Sequence, residues 1–251
     1  MQCLAASSRI WITGAGSGIG LALAEQLAQA GHQLVVTGRS ESSLAALANR
    51  HPGITVAPAD VTDAKALQRV VSLIRETLGG VDVVIANAGT CEYLNNGQVD
   101  SACVRRVFET NFMGLVLTIE SAQTLLMQSA HPYLVAVSSS AAYVPLPRAE
   151  AYGASKAAVS YFMDSLRLDS SRQGLRVSVV YPGFVKTPLT DKNDFPMPFR
   201  ISAETAARQI IKGMQKGRPE ILVPWFFVFT LRCLGCLPFF LRTRITQKLV
   251  G

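Results

Sequence analysis

The sequence predicts an α/β fold: one doubly wound parallel sheet flanked by helices on both faces. Three observations predict it. Short apolar runs alternate with helical patterns from Arg9 to Val223, with no linker between them. Several of those runs are apolar at consecutive positions, as strands buried on both faces are. A glycine-rich turn separates the first run from the first helical pattern. Strand–helix–strand units in one sheet cross over right-handed, so this alternation gives parallel strands covered by helices.

The elements follow in order. Arg9-Ile10-Trp11-Ile12-Thr13 reads as the first strand, and residues 19–30 as the helix after the turn. Residues 34–37 form a second strand, followed by a short stripe of Leu44, Leu47 and Ala48. Residues 54–56 form a third. Asp63 then caps a helix carrying Leu67, Val70, Val71, Ile74 and Leu78 at amphipathic spacing. Residues 81–86 are a fourth strand, and a long helix covers about residues 101–129. Residues 133–137 are the fifth strand, residues 152–173 a helix, and residues 177–180 the sixth strand. A helix over residues 203–216 and a strand at residues 221–223 complete the body. Residues 1–223 read as one domain, and residues 224–251 as an apolar and basic tail.

Composition narrows the classes. The chain has 251 residues, a length that α/β folds often fill as one domain. Hydrophobic residues make up 49% and charged residues 16%, which excludes a disordered chain. Cys3, Cys91, Cys103, Cys233 and Cys236 are an odd, scattered set, unlike a disulfide scaffold. The formal charge is +7, but seven basic residues lie from Lys212 onward against Glu220 alone. The body is near neutral, so nucleic-acid binding by the fold is not expected. The basic tail can meet an anionic membrane surface. Residues 1–8 have no basic stretch followed by an apolar run, so no signal peptide is expected, and a cytoplasmic location is.

Thr13-Gly14-Ala15-Gly16-Ser17-Gly18-Ile19-Gly20 stands between the first strand and the first helix. Glycines let the backbone approach a pyrophosphate closely, and the helix N-terminus offers amides to it. The spacing is T-G-x-x-x-G-x-G. Further along come Asp60-Val61-Thr62 after the third strand and Asn87-Ala88-Gly89 after the fourth. Asn111 lies in the long helix, and Ser138-Ser139-Ser140 ends the fifth strand. Tyr152-Gly153-Ala154-Ser155-Lys156 opens the next helix, and Tyr181-Pro182-Gly183 follows the sixth strand, with Thr187 beyond. Together these motifs resemble the short-chain dehydrogenase/reductase family, in order and over about residues 9–223.

Tyr152 and Lys156 are four apart, so they share a helix face. A phenol titrates near ~10, and a neighbouring ammonium favours the phenolate; a shift of ~3 units needs about 4 kcal/mol. Such a tyrosine can give a proton to a carbonyl oxygen or take one from an alcohol. The resemblance implies a Rossmann-type fold and a catalytic set of Asn111, Ser139, Tyr152 and Lys156. Ser139 would orient the substrate oxygen; Ser138 and Ser140 are one step away, and family spacing alone selects among the three. Asn111 would hold a water linking Lys156 to solvent. The implied activity is hydride transfer between NADP(H) and a small-molecule carbonyl or alcohol, in a homodimer or homotetramer. No metal is expected.

Cofactor choice turns on the end of the second strand. NAD enzymes usually place an acid there. Here Gly38 is followed by Arg39, which favours NADP over NAD by pairing with a 2′-phosphate. Ser17 departs from the basic residue that many NADP-preferring relatives carry before the second motif glycine. The resemblance gives the turn residues Gly14, Ser17, Gly18, Ile19 and Gly20 to the cofactor phosphates. Asp60 and Val61 go to the adenine. Asn87, Ala88 and Gly89 go to the ribose side, and Pro182, Val185 and Thr187 to the nicotinamide half; Tyr152 and Lys156 are implied to bind the cofactor as well.

The resemblance makes about residues 187–202 a mobile substrate lid, with Phe195, Met197 and Phe199 as an apolar lining; a packed surface loop is the equal alternative. Residues 221–241 hold 16 apolar residues in 21, about 31 Å as a helix. Arg232 at the centre and Pro224, Gly235 and Pro238 oppose a membrane span. A tail packed on the pocket or on another subunit, peripheral attachment through Arg242, Arg244 and Lys248, and a true span stand in that order. The Cys233-x-x-Cys236 pair lacks a second ligand pair for zinc. Two alternatives to the soluble enzyme are a cofactor-binding scaffold on the same fold and a membrane-associated lipid-carbonyl reductase. The charge-poor aromatic tail points to a lipophilic substrate.

Overall fold

The computed structural model describes Leu4 and residues 7–94 and 97–247. Cys3 and Lys248 lie outside the described residues. The first half runs β1 (Arg9–Thr13), α1 (Gly18–Gln29), β2 (Gln33–Thr37), α2 (Glu41–Ala48), β3 (Ile54–Val56), α3 (Ala64–Leu78) and β4 (Val83–Ala86). Then come α4 (Ser101–Phe108), a π-helical turn (Glu109–Met113), α5 (Gly114–Leu126), β5 (Tyr133–Val137), α6 (Glu150–Ser170) and β6 (Arg176–Pro182). Two short strands, β7 (Val185–Lys186) and β8 (Ile201–Ser202), lead to α7 (Ala203–Gln215) and β9 (Glu220–Val223). The tail forms α8 (Trp225–Gly235) and α9 (Phe239–Gln247).

The central sheet has seven strands in the order β3-β2-β1-β4-β5-β6-β9, all parallel. Because its interior strands are apolar on both faces, two cores form. One packs Leu23 and Leu27 of α1 and Ile210 of α7 against Ile10, Ile12 and Ile85. The other packs α3, α5 and α6 through residues such as Leu67, Ile119 and Val159. Trp11 is fully buried in this second core and donates its indole N–H to Thr37 Oγ1 at 2.9 Å.

Sequence signals place the helix ends. The Asp63 carboxylate accepts the Ala66 amide at 3.0 Å, and Gly79 closes α3 in the left-handed conformation at φ 69°. The expected single helix over residues 101–129 is instead α4 and α5 joined by the π-turn, which shifts the register at Asn111. The tail is broken where its glycine and prolines predict. No helix among the described residues is long and apolar enough to cross a membrane. The chain winds away from β1 toward β3 on one side and from β4 toward β9 on the other. The carboxyl ends of β1 and β4 are therefore the topological switch point, where open α/β sheets bind ligands.

Candidate functional site

A cleft of about 430 Å³ opens at that switch point. Its floor is the glycine turn. A Cβ on Gly20 would sit 2.2 Å from the Gly14 carbonyl oxygen, and one on Gly14 would sit 2.8 Å from Ala88 Cα. Side chains here would push the turn off the strand ends. Thr13 and Asn87 staple those ends together. The Thr13 hydroxyl accepts the Asn87 and Ala88 amides at 3.1 and 3.2 Å, and Asn87 Nδ2 donates to the Thr13 and Gly14 carbonyls at 3.1 Å each. Ser17 caps α1 without a side-chain hydrogen bond, and Ser17, Gly18 and Ile19 at the start of the helix line the cleft.

Every cofactor residue expected from the sequence except Gly20 lines this cleft, and Gly20 packs directly beneath it on Gly14. At the β2 end, Arg39 is exposed, and no ion pair among the described residues engages it. Ser40 and Ser43, which the sequence reading missed, line the cleft beside it with their hydroxyls 2.9 Å apart. Asp60 does not point freely into the cleft. Its Oδ1 accepts the Thr62 amide at 2.9 Å and the Thr62 hydroxyl at 2.8 Å, a local turn of the chain on itself. Val61 is buried against Gly114.

At the opposite end stand Ser139, Tyr152 and Lys156. The structure separates the three serines. Ser138 also lines the cleft, but its hydroxyl is spent on the Lys156 carbonyl at 2.9 Å, and Ser140 is buried in a short 3₁₀ turn. Ser139 caps that turn by accepting the Ala141 amide at 3.1 Å and lines the cleft together with Tyr152. Lys156 is buried and donates Nζ to the Val137 carbonyl at 2.9 Å. Asn111 lies behind Gly89: a Cβ there would be 3.2 Å from Asn111 Oδ1 and 3.3 Å from Lys156 Nζ. Asn111 is buried and held on three sides. Oδ1 accepts the Thr90 amide at 2.7 Å, and Nδ2 donates to the Thr90 carbonyl and to Ser155 Oγ, each at 2.9 Å.

The electrostatics correct one expectation. From their spacing alone, the Lys156 ammonium is expected to draw the Tyr152 phenol down. Instead burial pushes Tyr152 up to about 12, against the hydrogen bond from Ser139 that lowers it. Burial likewise pushes Lys156 down to about 8. Desolvation is the largest influence on both groups, whose Nζ and ring centroid lie 5.9 Å apart. Tyr152 is therefore a neutral phenol at pH 7, and Lys156 is still mostly charged.

Residues 187–200 form a loop pinched at its base by the pairing of β7 with β8. The loop is fastened over Tyr93, whose hydroxyl donates to Asn193 Oδ1 at 2.6 Å and whose ring meets Phe195 edge-on at 6.0 Å. Arg148 lies over the same ring at 5.2 Å and pairs with Asp194 at 2.7 Å. Phe195 also meets Phe184, which meets Phe227 of α8 at 5.7 Å. Sequence reasoning missed Tyr93, Arg148 and Phe184, because they come from separate loops with no shared spacing. The tail is docked here too. Phe227 covers Gly183, Gly235 packs on the Tyr143 carbonyl, and Arg232 pairs with Glu220 beneath the Tyr143 ring. Cys233 and Cys236 are exposed free thiols.

Comparison with known proteins agrees with this architecture. The family model described as short chain dehydrogenase matches residues 8–196. An uncharacterized oxidoreductase of Myxococcus xanthus is 39% identical over 232 residues, 90% of this chain and 91% of the relative. Sulfoacetaldehyde reductase 2 of Chromohalobacter salexigens is 38% identical over 189 residues, 73% of this chain and 75% of that one. A solved short chain dehydrogenase/reductase from Burkholderia phymatum, in complex with NAD, superposes with a TM-score of 0.83. It is 24% identical, and the match covers 90% of this chain and 92% of the other.

Proposed function

The chain belongs to the short chain dehydrogenase family of oxidoreductases, and on that premise we propose that it transfers hydride between NADP(H) and a carbonyl/alcohol pair, with Asn111, Ser139, Tyr152 and Lys156 as its catalytic set. The observation that carries this reading is the meeting of Ser139, Tyr152 and Lys156 at one end of a cleft whose other end is a glycine-lined helix N-terminus. The dinucleotide supplies or accepts the hydride when bound. The amides at the start of α1 would hold its pyrophosphate.

In the reducing direction, the Ser139 and Tyr152 hydroxyls bind the carbonyl oxygen. As the carbonyl carbon gains hydride, Tyr152 gives its proton to that oxygen. A phenol held near pKa 12 is fully protonated for this step. The phenolate left behind is stabilised by the Lys156 ammonium, which Val137 holds one helical turn away. Asn111, fixed by Thr90 and Ser155 behind Gly89 and close to Lys156, would hold a water that links Lys156 to solvent.

Arg39 supports the choice of NADP. It stands exposed at the β2 end of the cleft beside the Ser40 and Ser43 hydroxyls, a set suited to a 2′-phosphate. Phe184 and Phe195 support a lipophilic substrate. In the same reading residues 1–223 are one domain, residues 187–202 are its lid, and 224–251 are a tail whose α8 packs on that domain. Exposed Tyr161 and Leu168 on α6 support pairing of copies into a dimer or tetramer. The test is oxidation of NADPH over a carbonyl panel from small polar aldehydes to long-chain ketones. Turnover should rise with chain length and disappear in Tyr152→Phe. Equal rates on small polar carbonyls contradict the lipophilic substrate. NADPH binding with no turnover of any kind favours a scaffold.

A further inference from the structure

We propose that the outward faces of α8 and α9, joined by Phe199 of the 187–200 loop, form a surface that docks onto an anionic phospholipid bilayer. α8 has two unlike sides. Its inward side is spent on the fold: Val228 is fully buried and Phe227 covers Gly183. Its outward side carries Trp225, Phe226 and Phe229, of which Trp225 is 57% and Phe226 64% exposed. These rings pair with one another and with the loop. Trp225 stacks on Phe229 at 5.4 Å, and Phe199 meets Phe226 at 6.4 Å. α9 extends the surface with Phe239 at 74% and Phe240 at 63% exposure. Arg242 ties it to the end of α8 by donating to the Gly235 carbonyl at 3.2 Å. Single exposed apolar side chains are ordinary; a run of exposed aromatics over two helices marks an interaction face.

Charge selects the partner. Residues 221–251 contain Arg232, Arg242, Arg244 and Lys248 and no aspartate or glutamate. Glu220 neutralises Arg232, while Arg244 is exposed on α9. A second copy meeting the α8–α9 part of this face about a two-fold axis would bring its cations against cations with no acid within residues 221–251 to relieve them. Anionic headgroups relieve them, and aromatic rings settle at the depth just beneath. With 11 and 9 residues, α8 and α9 are too short to span and suit the plane of the interface. The docked face adjoins the cleft through Phe227 of α8, which touches Phe199 and covers the cleft residue Gly183. An amphipathic carbonyl would thus enter from the lipid side, a consequence that rests on the function proposed above, whereas the docking does not.

The two tryptophans supply the readout. Trp11 is fully buried and silent to lipid; Trp225 is exposed. The full chain is mixed with vesicles of phosphatidylglycerol and phosphatidylethanolamine, and separately with phosphatidylcholine vesicles. The expected result is sedimentation with the anionic vesicles and a blue shift of tryptophan emission, absent in Trp225→Phe. Affinity should be about tenfold lower for phosphatidylcholine and should fall with added salt. Phe239→Ser with Phe240→Ser, and separately Arg244→Glu, should each lower partitioning about tenfold or more with an unchanged melting temperature. No sedimentation, no shift, or equal binding to phosphatidylcholine overturns the proposal. So does a dimer that dissociates in the phenylalanine variant while vesicles bind nothing, which gives the face to a second copy. Vesicle binding by a protein that binds no dinucleotide would leave the docking standing and sink the proposed function instead.

Discussion

Lys156 Nζ stands 5.9 Å from the centroid of the Tyr152 ring, one helical turn along α6, and burial moves the two groups in opposite directions. The phenol is held protonated, and the ammonium is held close to release. That pairing suits a proton donor and the cation that stabilises its conjugate base.

Tyr152→Phe removes the hydroxyl and leaves the ring. We expect kcat to fall by about 10²–10⁴, with NADPH affinity unchanged in a titration. Retained turnover would mean that another group gives the proton.

Lys156 is buried with a pKa lowered from 10.5 to about 8, so the folded state disfavours its charged form. That penalty is full below pH 8 and fades as pH rises from 8 toward 10.5. Lys156→Met should therefore stabilise the protein at pH 7 by about 1–3 kcal/mol, allowing for the lost bond to Val137. The gain should vanish near pH 10.5 in urea unfolding, and turnover should be lost. A destabilised variant at pH 7 would show that the Val137 bond outweighs the buried charge.

A Cβ on Gly20 would meet the Gly14 carbonyl at 2.2 Å, and that neighbour is backbone. Gly20→Ala must open the turn. Stability should fall by about 1–3 kcal/mol and dinucleotide binding should weaken. Calorimetric titration and thermal unfolding read both, and wild-type values would show that the turn is free to move.

Asp82 anchors the start of β4 to β1. Burial raises its pKa, but hydrogen bonds from the Arg9 guanidinium and amide and from the Ser129 hydroxyl outweigh this and hold it at about 2. A lowered carboxylate stabilises above its unfolded pKa of ~3.9 and loses that contribution as pH falls through about 2. Asp82→Asn should cost about 1–2 kcal/mol at pH 7. The gap to wild type should close between pH 4 and 2, followed by circular dichroism. A pH-independent gap would assign the loss to packing.

Much of this fold is written locally. Apolar runs locate β1, β3 and β5, the Asp63 cap locates α3, and the glycine turn marks the switch-point cleft. What is not written locally is hydrogen-bond register and loop convergence. The π-turn that carries Asn111 changes no side-chain pattern that periodicity can detect. Ser138, Ser139 and Ser140 are chemically identical in sequence, and only the packing of α6 separates them. Tyr93 and Arg148 meet Asn193 and Asp194 through contacts 100 and 46 residues apart. The directions of the Tyr152 and Lys156 shifts depend on burial, which spacing does not report.

The most direct test is titration of the purified protein with NADPH and with NADH, for wild type and Arg39→Ala. The account predicts tight NADPH binding that weakens about tenfold or more in the variant, as loss of a charge-assisted bond does, with NADH binding unchanged. Failure of the wild-type protein to bind either nucleotide would contradict it.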